Sequence, residues 1–402
     1  MRARTLVVAL QSQQPFTVTP IEAFPSQECD LVVLTEGDAG TVLREDVDSP
    51  VPEVITLDRA EWSGRIGALA ADRPVEIVTN DEYCLATCAQ LRAETGLAAR
   101  HPDQPAAYLD KVVMKRLLAA DRVRIPRFHA FEPVVTAARQ VAERVVAEVG
   151  LPAVAKPRQE ANSRGIQILR TPDEVLYWFT THDGEPGWQV DEYIEGTLHH
   201  VNAVVRDDEI TPVQVGRYLG PLLGVDVGRI LGGATEPATL ASSAAAHALN
   251  ERVVRALGSA GRFVVHTEFA IDRAGEQVVL EVAARAPGAL VSEMARLHAG
   301  VNLEVMNLRM QAGLPVPEPD TQRCDLQAAW LWLPVMPGKR FHEPGPNLAD
   351  LGSEHGFHVR RIGVVGNQGT GGAIGASLLL WNSDPAELDK DIAIAYDMTW
   401  FT

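Results

Sequence analysis

Residues 264–288 read VVHTEFAIDRAGEQVVLEVAARAPG, the most informative segment of the chain. Two apolar runs, Phe263–Ile271 and Gln277–Val282, flank Asp272-Arg273-Ala274-Gly275, a turn composition. The spacing predicts a β-hairpin. Residues two apart on a strand point to one face, so His266 and Glu268 project together. Closing the hairpin brings Glu281 near Glu268. Together with Arg285, these three are the charged or polar interruptions of otherwise apolar strands. Two neighbouring carboxylates repel unless neutralised. They suit an oxygen-loving divalent cation such as magnesium bridging phosphates. A surface salt-bridge cluster is the other reading of the same residues.

Upstream, Leu151–Lys156 and Ile166–Leu169 read as strands, which makes 157–165 a tight loop. Lys156 ends the first strand, and Ser163 and Gly165 lie in the loop. An ammonium and loop N–H groups can be aimed together at phosphate; a solvated lysine at a strand end is the plain alternative. In LDKVVMKRLLAADRVRIPRF, Val113, Met114, Leu117 and Leu118 repeat at helical spacing. The pattern stops at Arg124-Ile125-Pro126, because the residue before proline disfavours the α region. Lys111 and Lys115, four apart, share a helix face. Residues 136–149 form a second amphipathic helix. Gln189–Glu195 is a strand ending at Gly196, and His200–Val205 and Ile210–Val215 pair around a turn at 206–209. Residues 216–237 are glycine-rich and are expected to be irregular: a lid, a binding loop or a disordered segment. Leu249, Val253, Val254 and Leu257 mark a helix stopped by Gly258, and 289–298 is another.

Towards the N-terminus, Leu6–Leu10, Leu31–Leu34, Val54–Leu57 and Val75–Thr79 are strand-like and separated by helical patterns, as in a small parallel α/β domain. Asn80 is expected to cap the helix that ends before Gly96. No G-x-G-x-x-G follows the first strand, so a dinucleotide-binding reading is poor. Pro315, Pro317 and Pro319 make a stiff linker into a third region, with β-rich stretches at 326–335 and 373–381 and a helix around 384–397. There Gly366-x-x-Gly369-x-Gly371-Gly372 reads as a turn, and Trp330, Trp332 and Phe341 as core. His182, His247 and His298 have no ligand spacing. The expected division is 1–107, 108–318 and 319–402.

The 402 residues carry 36 Lys+Arg against 53 Asp+Glu, a net charge of −17, with no basic block. A nucleic-acid backbone is therefore an unexpected partner. The 46% apolar and 22% charged content is that of a globular protein. No apolar run approaches the roughly 18 residues of a membrane helix, and the short run near the N-terminus reads as a strand rather than a leader. Cys29, Cys84, Cys88 and Cys324 include no C-x-x-C pair, so zinc or a redox dithiol is not signalled, and free thiols in a reducing cytoplasm are expected.

Five segments appear in order: DK…MK (110–115), VAKP (154–157) with NSRG (162–165), VDEYIEG (190–196), HTEF (266–269) and LEVAARAPG (280–288). Together they resemble the ATP-grasp superfamily, in its carboxylate–amine ligase branch of L-amino acid ligases and carnosine synthase. Biotin carboxylase is a more distant relative. The resemblance implies an α/β chain: an N-terminal parallel α/β domain, a two-lobed ATP-grasp domain and a small β-rich C-terminal domain. It implies that Lys111 and Lys156 hold the nucleotide phosphates, with Ser163 and Gly165 in the loop closing over them. Asp191, Glu192, Tyr193 and Ile194 would be the hinge whose backbone meets the adenine edge; Asp191 stands where the family often has Glu. His199 or His200 would lie near the ribose. Glu268 and Glu281 would bind magnesium, and Arg285 would stabilise the transferring phosphoryl group. His266 and Gly288 would face the substrate carboxylate or its acyl phosphate. Ala283 stands where a third metal ligand, Asn, is common, an alanine shared by ligases of the EVAAR type. The implied reaction is ATP- and magnesium-dependent joining of a carboxylate to an amine, both small molecules, by a cytoplasmic and often dimeric enzyme. A nucleotide-biosynthesis or carboxylase-type activity is the alternative within enzymes, and a catalytically silent nucleotide-binding scaffold the alternative outside them.

Overall fold

The computed structural model describes residues 4–12, 14, 16–18, 20–37, 52–98, 100–102, 104–131, 138–161, 163–182, 185, 187–220, 229–320, 326–334, 348–359 and 374–400. Cys324, Phe341 and the glycines at 366–372 lie outside these residues.

The first sheet contains β1 (Leu6–Gln11), β2 (Asp30–Thr35), β3 (Glu53–Thr56) and β4 (Val75–Val78), all parallel, in the order β3-β2-β1-β4. Strand β1 is fully buried, as its unbroken apolar run requires of a strand covered on both faces. Helices α1 (Trp62–Ala70) and α2 (Leu85–Glu94) pack on one face through Trp62, Ile66, Cys84, Cys88 and Leu91. Cys29, Cys84 and Cys88 are free and buried. The N-terminal signal expected at Asn80 moves by one residue. Asp81 is the cap, its carboxylate accepting from the Tyr83 N–H at 3.0 Å, and a 3-10 turn at Glu82–Cys84 precedes α2. Asn80 is used elsewhere: its Oδ1 accepts from the Ala286 N–H and from Asn307 Nδ2, each at 2.9 Å.

Next come α3 (Pro105–Leu109) and α4 (Lys111–Ala120), the latter capped by Asp110, which accepts from the N–H groups of Val112 and Val113. A small antiparallel sheet follows: β5 (Phe128–Ala130), β6 (Ala153–Pro157), β7 (Gln167–Leu169) and β8 (Trp188–Glu192), ordered β5-β8-β6-β7. Helices α5 (Ala138–Glu148) and α6 (Pro172–Thr181) cover it through Val145, Val175, Trp178 and Phe179.

The largest sheet has eight antiparallel strands: β9 (Gly196–Arg206), β10 (Glu209–Tyr218), β11 (Leu231–Thr235), β12 (Arg262–Asp272), β13 (Gln277–Ala283), β14 (Gln327–Pro334), β15 (Glu354–Val359) and β16 (Ile374–Asn382). Their order is β13-β12-β9-β10-β11-β14-β16-β15, so strands from the third expected region continue the central sheet. Helix α7 (Ala241–Leu257) covers one face with α4; α8 (Val291–Ala299) and α9 (Leu303–Gln311) cover the other; α10 (Pro385–Asp397) lies over the C-terminal strands.

One expectation is overturned here. The glycine-rich 216–237 segment is not an irregular loop where it is described: β10 runs to Tyr218, and Leu231–Thr235 is an interior strand between β10 and β14. Residues 221–228 lie outside the described set. Gly216, Gly232 and Gly233 answer to packing rather than to freedom. A Cβ on Gly233 would stand 2.7 Å from Trp330 Nε1, and one on Gly232 2.9 Å from the Trp330 carbonyl oxygen. Trp330 and Trp332 meet edge to face at 5.1 Å, so the expected tryptophan packing is present.

Candidate active site

The hairpin read from the sequence forms, and its register places Glu268 directly opposite Glu281. A bulge follows at once between Glu268 and Phe269; such a bulge re-aims neighbouring side chains. On its other side Glu268 pairs with His200 of β9, and His200 with Gly216 of β10. His266 sits opposite Asn202 in the next row of the same face.

These residues are chained by hydrogen bonds. His266 Nδ1 donates to Asn202 Oδ1 at 2.8 Å, and Asn202 Nδ2 lies 3.2 Å from His200 Nδ1. His266 Nε2 stands 3.5 Å from Glu268 Oε1. The Tyr218 hydroxyl donates to the same oxygen at 2.5 Å. Burial alone would raise the Glu268 pKa, but His266 and the Tyr218 hydroxyl hold the carboxyl below its ordinary range. Burial pushes His200 down to about 3, with His266 adding to the shift, so its imidazole is neutral. Burial and the Glu268 charge push Tyr218 well above the phenol range, so it stays a donor.

Three lysines and an arginine stand around these residues. Lys111, at the start of α4, donates to the Glu160 carbonyl at 2.7 Å and pairs with Glu281 Oε1 at 2.9 Å. Burial opposes its charge, but Glu281, Glu82 and Glu268 outweigh that and raise its pKa. One turn on, Lys115 is fully buried, paired to Asp191 and 3.2 Å from Gln189 Oε1. Burial pushes Lys115 down to about 7 despite Asp191, with Lys156 and Lys111 adding repulsion. Lys156 shares the same Asp191 oxygen at 2.9 Å. From the far side, Arg285 Nε and Nη2 both reach Glu82 Oε2, at 2.8 and 2.7 Å.

The structure thus brings Lys111, His266, Glu268, Glu281 and Arg285 together. Lys156 and Asp191 form a second cluster on the small sheet, joined to the first by α4, which carries Lys111 and Lys115. Asp191 has its backbone inside the sheet, between Phe128 and Val154, and its side chain serves two lysines. Glu192 is held by Arg127, the Tyr193 N–H is spent on the Pro152 carbonyl at 3.2 Å, and Ile194 is half-buried. Ser163 and Gly165 both sit at positive φ, 55° and 71°, in the turn between β6 and β7. A Cβ on Gly165 would come 3.0 Å from Pro157 Cγ. Gly288 lies before α8, and a Cβ there would meet nothing within 4 Å. His199 is not with the cluster. Alternation along β9 turns it to the opposite face, stacked on Phe269 at 5.4 Å and 3.4 Å from Glu236. His200 is the histidine on the Glu268 face. Sequence reasoning missed Glu82, Asn202 and Tyr218, and saw in Lys115 only a shared helix face.

The carboxylate pair fits an oxygen-loving divalent ion. The side chains of Glu268 and Glu281 are 27% and 29% exposed. Tyr218 and His266 approach Glu268 at Oε1, and Lys111 approaches Glu281 at Oε1; an ion would use the partly exposed remainder of each carboxylate. No group of three or more His, Cys, Asp or Glu that could hold a metal occurs among the described residues. An ion here would take two protein carboxylates and complete its shell from substrate oxygens and water.

No family model matches the chain. In sequence it resembles the uncharacterized protein y4rH of Sinorhizobium fredii (strain NBRC 101917 / NGR234), 27% identical over 241 residues. That match takes in 58% of this chain and 48% of the relative, so the chain spans about half the length of the curated relative it matches. In structure it resembles an L-amino acid ligase from Bacillus licheniformis, with TM-score 0.71 and 15% identity over 99% of this chain and 98% of the other. It also resembles N5-carboxyaminoimidazole ribonucleotide synthetase from Thermus thermophilus, with TM-score 0.70 and 18% identity over 98% of each. Carboxyaminoimidazole ribonucleotide synthase from Aspergillus clavatus, solved with ATP, gives TM-score 0.71 and 13% identity over 98% of each. The chain has the ATP-grasp fold.

Proposed function

We propose that the protein is an ATP- and magnesium-dependent ligase that joins a small carboxylate, such as an amino acid, to an amine. The observation that carries this reading is the gathering of Glu268, Glu281, Lys111 and Arg285 around one hairpin. Clustering such charges without use would be costly, which speaks against a silent scaffold.

In this reading Lys111 and Lys156 exchange their present partners, Glu281 and Asp191, for phosphate oxygens. Hinge residues Asp191–Ile194 flank the adenine, and Ser163 and Gly165 ride in the loop over the phosphates. Magnesium, when bound at Glu268 and Glu281, neutralises phosphate charge. A carboxylate oxygen attacks the γ-phosphorus and ADP leaves, giving an acyl phosphate. The amine nitrogen then attacks the acyl carbon, phosphate leaves, and the nitrogen gives up a proton. Arg285 faces the phosphoryl group in flight, and His266 and Gly288 face the carboxylate. The protein's share is position and charge, with no covalent step of its own. Nucleotide chemistry is assigned to 108–318, with 1–107 and 319–402 closing around it; a cytoplasmic homodimer is the assembly this reading carries.

Purified protein given ATP, magnesium and pools of amino acids should release phosphate in an amine-dependent way. Arg285→Ala should lower that turnover by roughly 100-fold or more while ADP affinity changes little. Turnover driven by bicarbonate alone would favour the carboxylase-type alternative. ATP binding without turnover on any pool would favour the scaffold.

A further inference from the structure

We propose that Glu82, a side chain of the N-terminal parallel sheet region, is the positioning residue for Arg285 and holds the guanidinium off the Glu268–Glu281 pair. The inference rests on the ligase reading for its purpose and its turnover readout; the hydrogen-exchange readout stands apart from that reading. Arg285 is held at three nitrogens: Nε and Nη2 on Glu82 Oε2, and Nη1 on the Ala286 carbonyl at 3.0 Å. A guanidinium is a rigid planar fork, so three anchors fix its plane as well as its place. The side chains of Arg285 and Glu82 are 13% and 5% exposed. The contact is therefore unlike an exposed ion pair, which solvent screens.

Both partners are themselves pinned. The Ala286 N–H, next along the chain from Arg285, donates to Asn80. The Glu82 N–H donates to Gln14 Oε1 at 3.2 Å, and the Asp81 cap fixes the turn that Glu82 opens. Just upstream, the Gln311 side chain of α9 brackets Thr79, accepting from its N–H at 3.0 Å and donating to its carbonyl at 2.9 Å. Residues 79–82 are thus a docking strip that ends on the arginine. Its purpose follows from the charges around it. Glu281 and Glu268 also attract Arg285, and both are the carboxylates a cation needs free. After Glu82, those two are the acids whose charge acts most on the arginine. Collapse onto them would occupy the cation's oxygens and take the guanidinium away from the phosphoryl path. Glu82 wins because it is the more buried acid, where charge pairing is less screened.

The test uses the full chain. In ¹H–¹⁵N spectra at pH 7, one slowly exchanging arginine Nε–H should be assignable to Arg285 by its loss in Arg285→Lys. In Glu82→Ala that proton should exchange on the order of 10-fold faster, and Glu82→Asp should restore part of the protection. In turnover, Glu82→Ala should lower kcat by about 100-fold with KM for ATP within about threefold. In an Arg285→Ala background the same change should cost less than about threefold. Unaltered Arg285 exchange in Glu82→Ala, or losses that simply multiply, would overturn the proposal. If Glu82→Ala does not fold, Glu82→Gln keeps the acceptor oxygen and the packing and is read the same way, with intermediate effects expected. If the wild type turns over no substrate, the ligase reading fails and the exchange measurement alone decides this one.

Discussion

Tyr218 donates its hydroxyl to Glu268 at 2.5 Å, from a strand two removed in the sheet. The reach is possible because Gly216, two residues earlier, has no side chain. The His200 ring fills the space that a Cβ at Gly216 would take. A donor on one oxygen of a metal-binding carboxylate orients the other oxygen. Such outer partners are worth roughly 10–100-fold in metal affinity or activity. Tyr218→Phe should therefore raise the magnesium concentration for half-maximal turnover by about that factor. Metal-free ADP binding should stay near wild type. An unchanged magnesium titration would remove Tyr218 from the site.

Gly216→Ala tests the same contact through stability. The new methyl would overlap the His200 ring and lie 3.1 Å from the Ala234 carbonyl oxygen. His200 is fully buried and cannot step aside cheaply. Overpacking of this kind costs roughly 1–3 kcal/mol. Urea unfolding should show the midpoint lowered with the slope retained, and a midpoint equal to wild type would count against the packing argument.

Much of this site was legible in the sequence because it lies on one hairpin. A hairpin turning at 272–275 suffices to bring Glu281 near Glu268, and helical spacing to put Lys111 and Lys115 on one face; the direct pairing of the two glutamates needs the one-residue bulge beside Glu268, without which Leu280 would stand opposite it. Glu82 was not legible, since its role depends on how the N-terminal sheet docks 203 residues away in the chain. Tyr218 was hidden in a run whose glycines suggested flexibility. Gly216, Gly232 and Gly233 are small because the His200 ring, the Trp330 indole and neighbouring backbone press against them, a demand that composition does not distinguish from freedom. Asn80 and Asp81 both suit a helix start, and the choice between them was made by Ala286 and Asn307.

Lys115 gives a pH prediction. Its pKa falls from the ordinary lysine value to about 7 on folding, chiefly through burial. Between about 7 and the ordinary value the unfolded chain binds a proton that the native state lacks, so stability from this group rises with pH. Below about 7 both states are protonated, and its destabilising contribution is complete. Relative to Lys115→Met, the wild type should gain on the order of 1–3 kcal/mol between pH 7 and pH 10. Chemical denaturation of both proteins across that range is the check; parallel curves would mean Lys115 keeps its charge inside.

The reciprocal hydrogen bonds between Gln311 and Thr79 have a consequence for solubility. Strand β4 is the outer strand of its sheet, and a bare strand edge is a template for other chains. The amide of Gln311 satisfies one N–H and one C=O at the end of that edge, acting as a one-residue fifth strand lent by a helix. A fragment cut between the N-terminal sheet and α9 loses that cover, and self-association is the failure it invites.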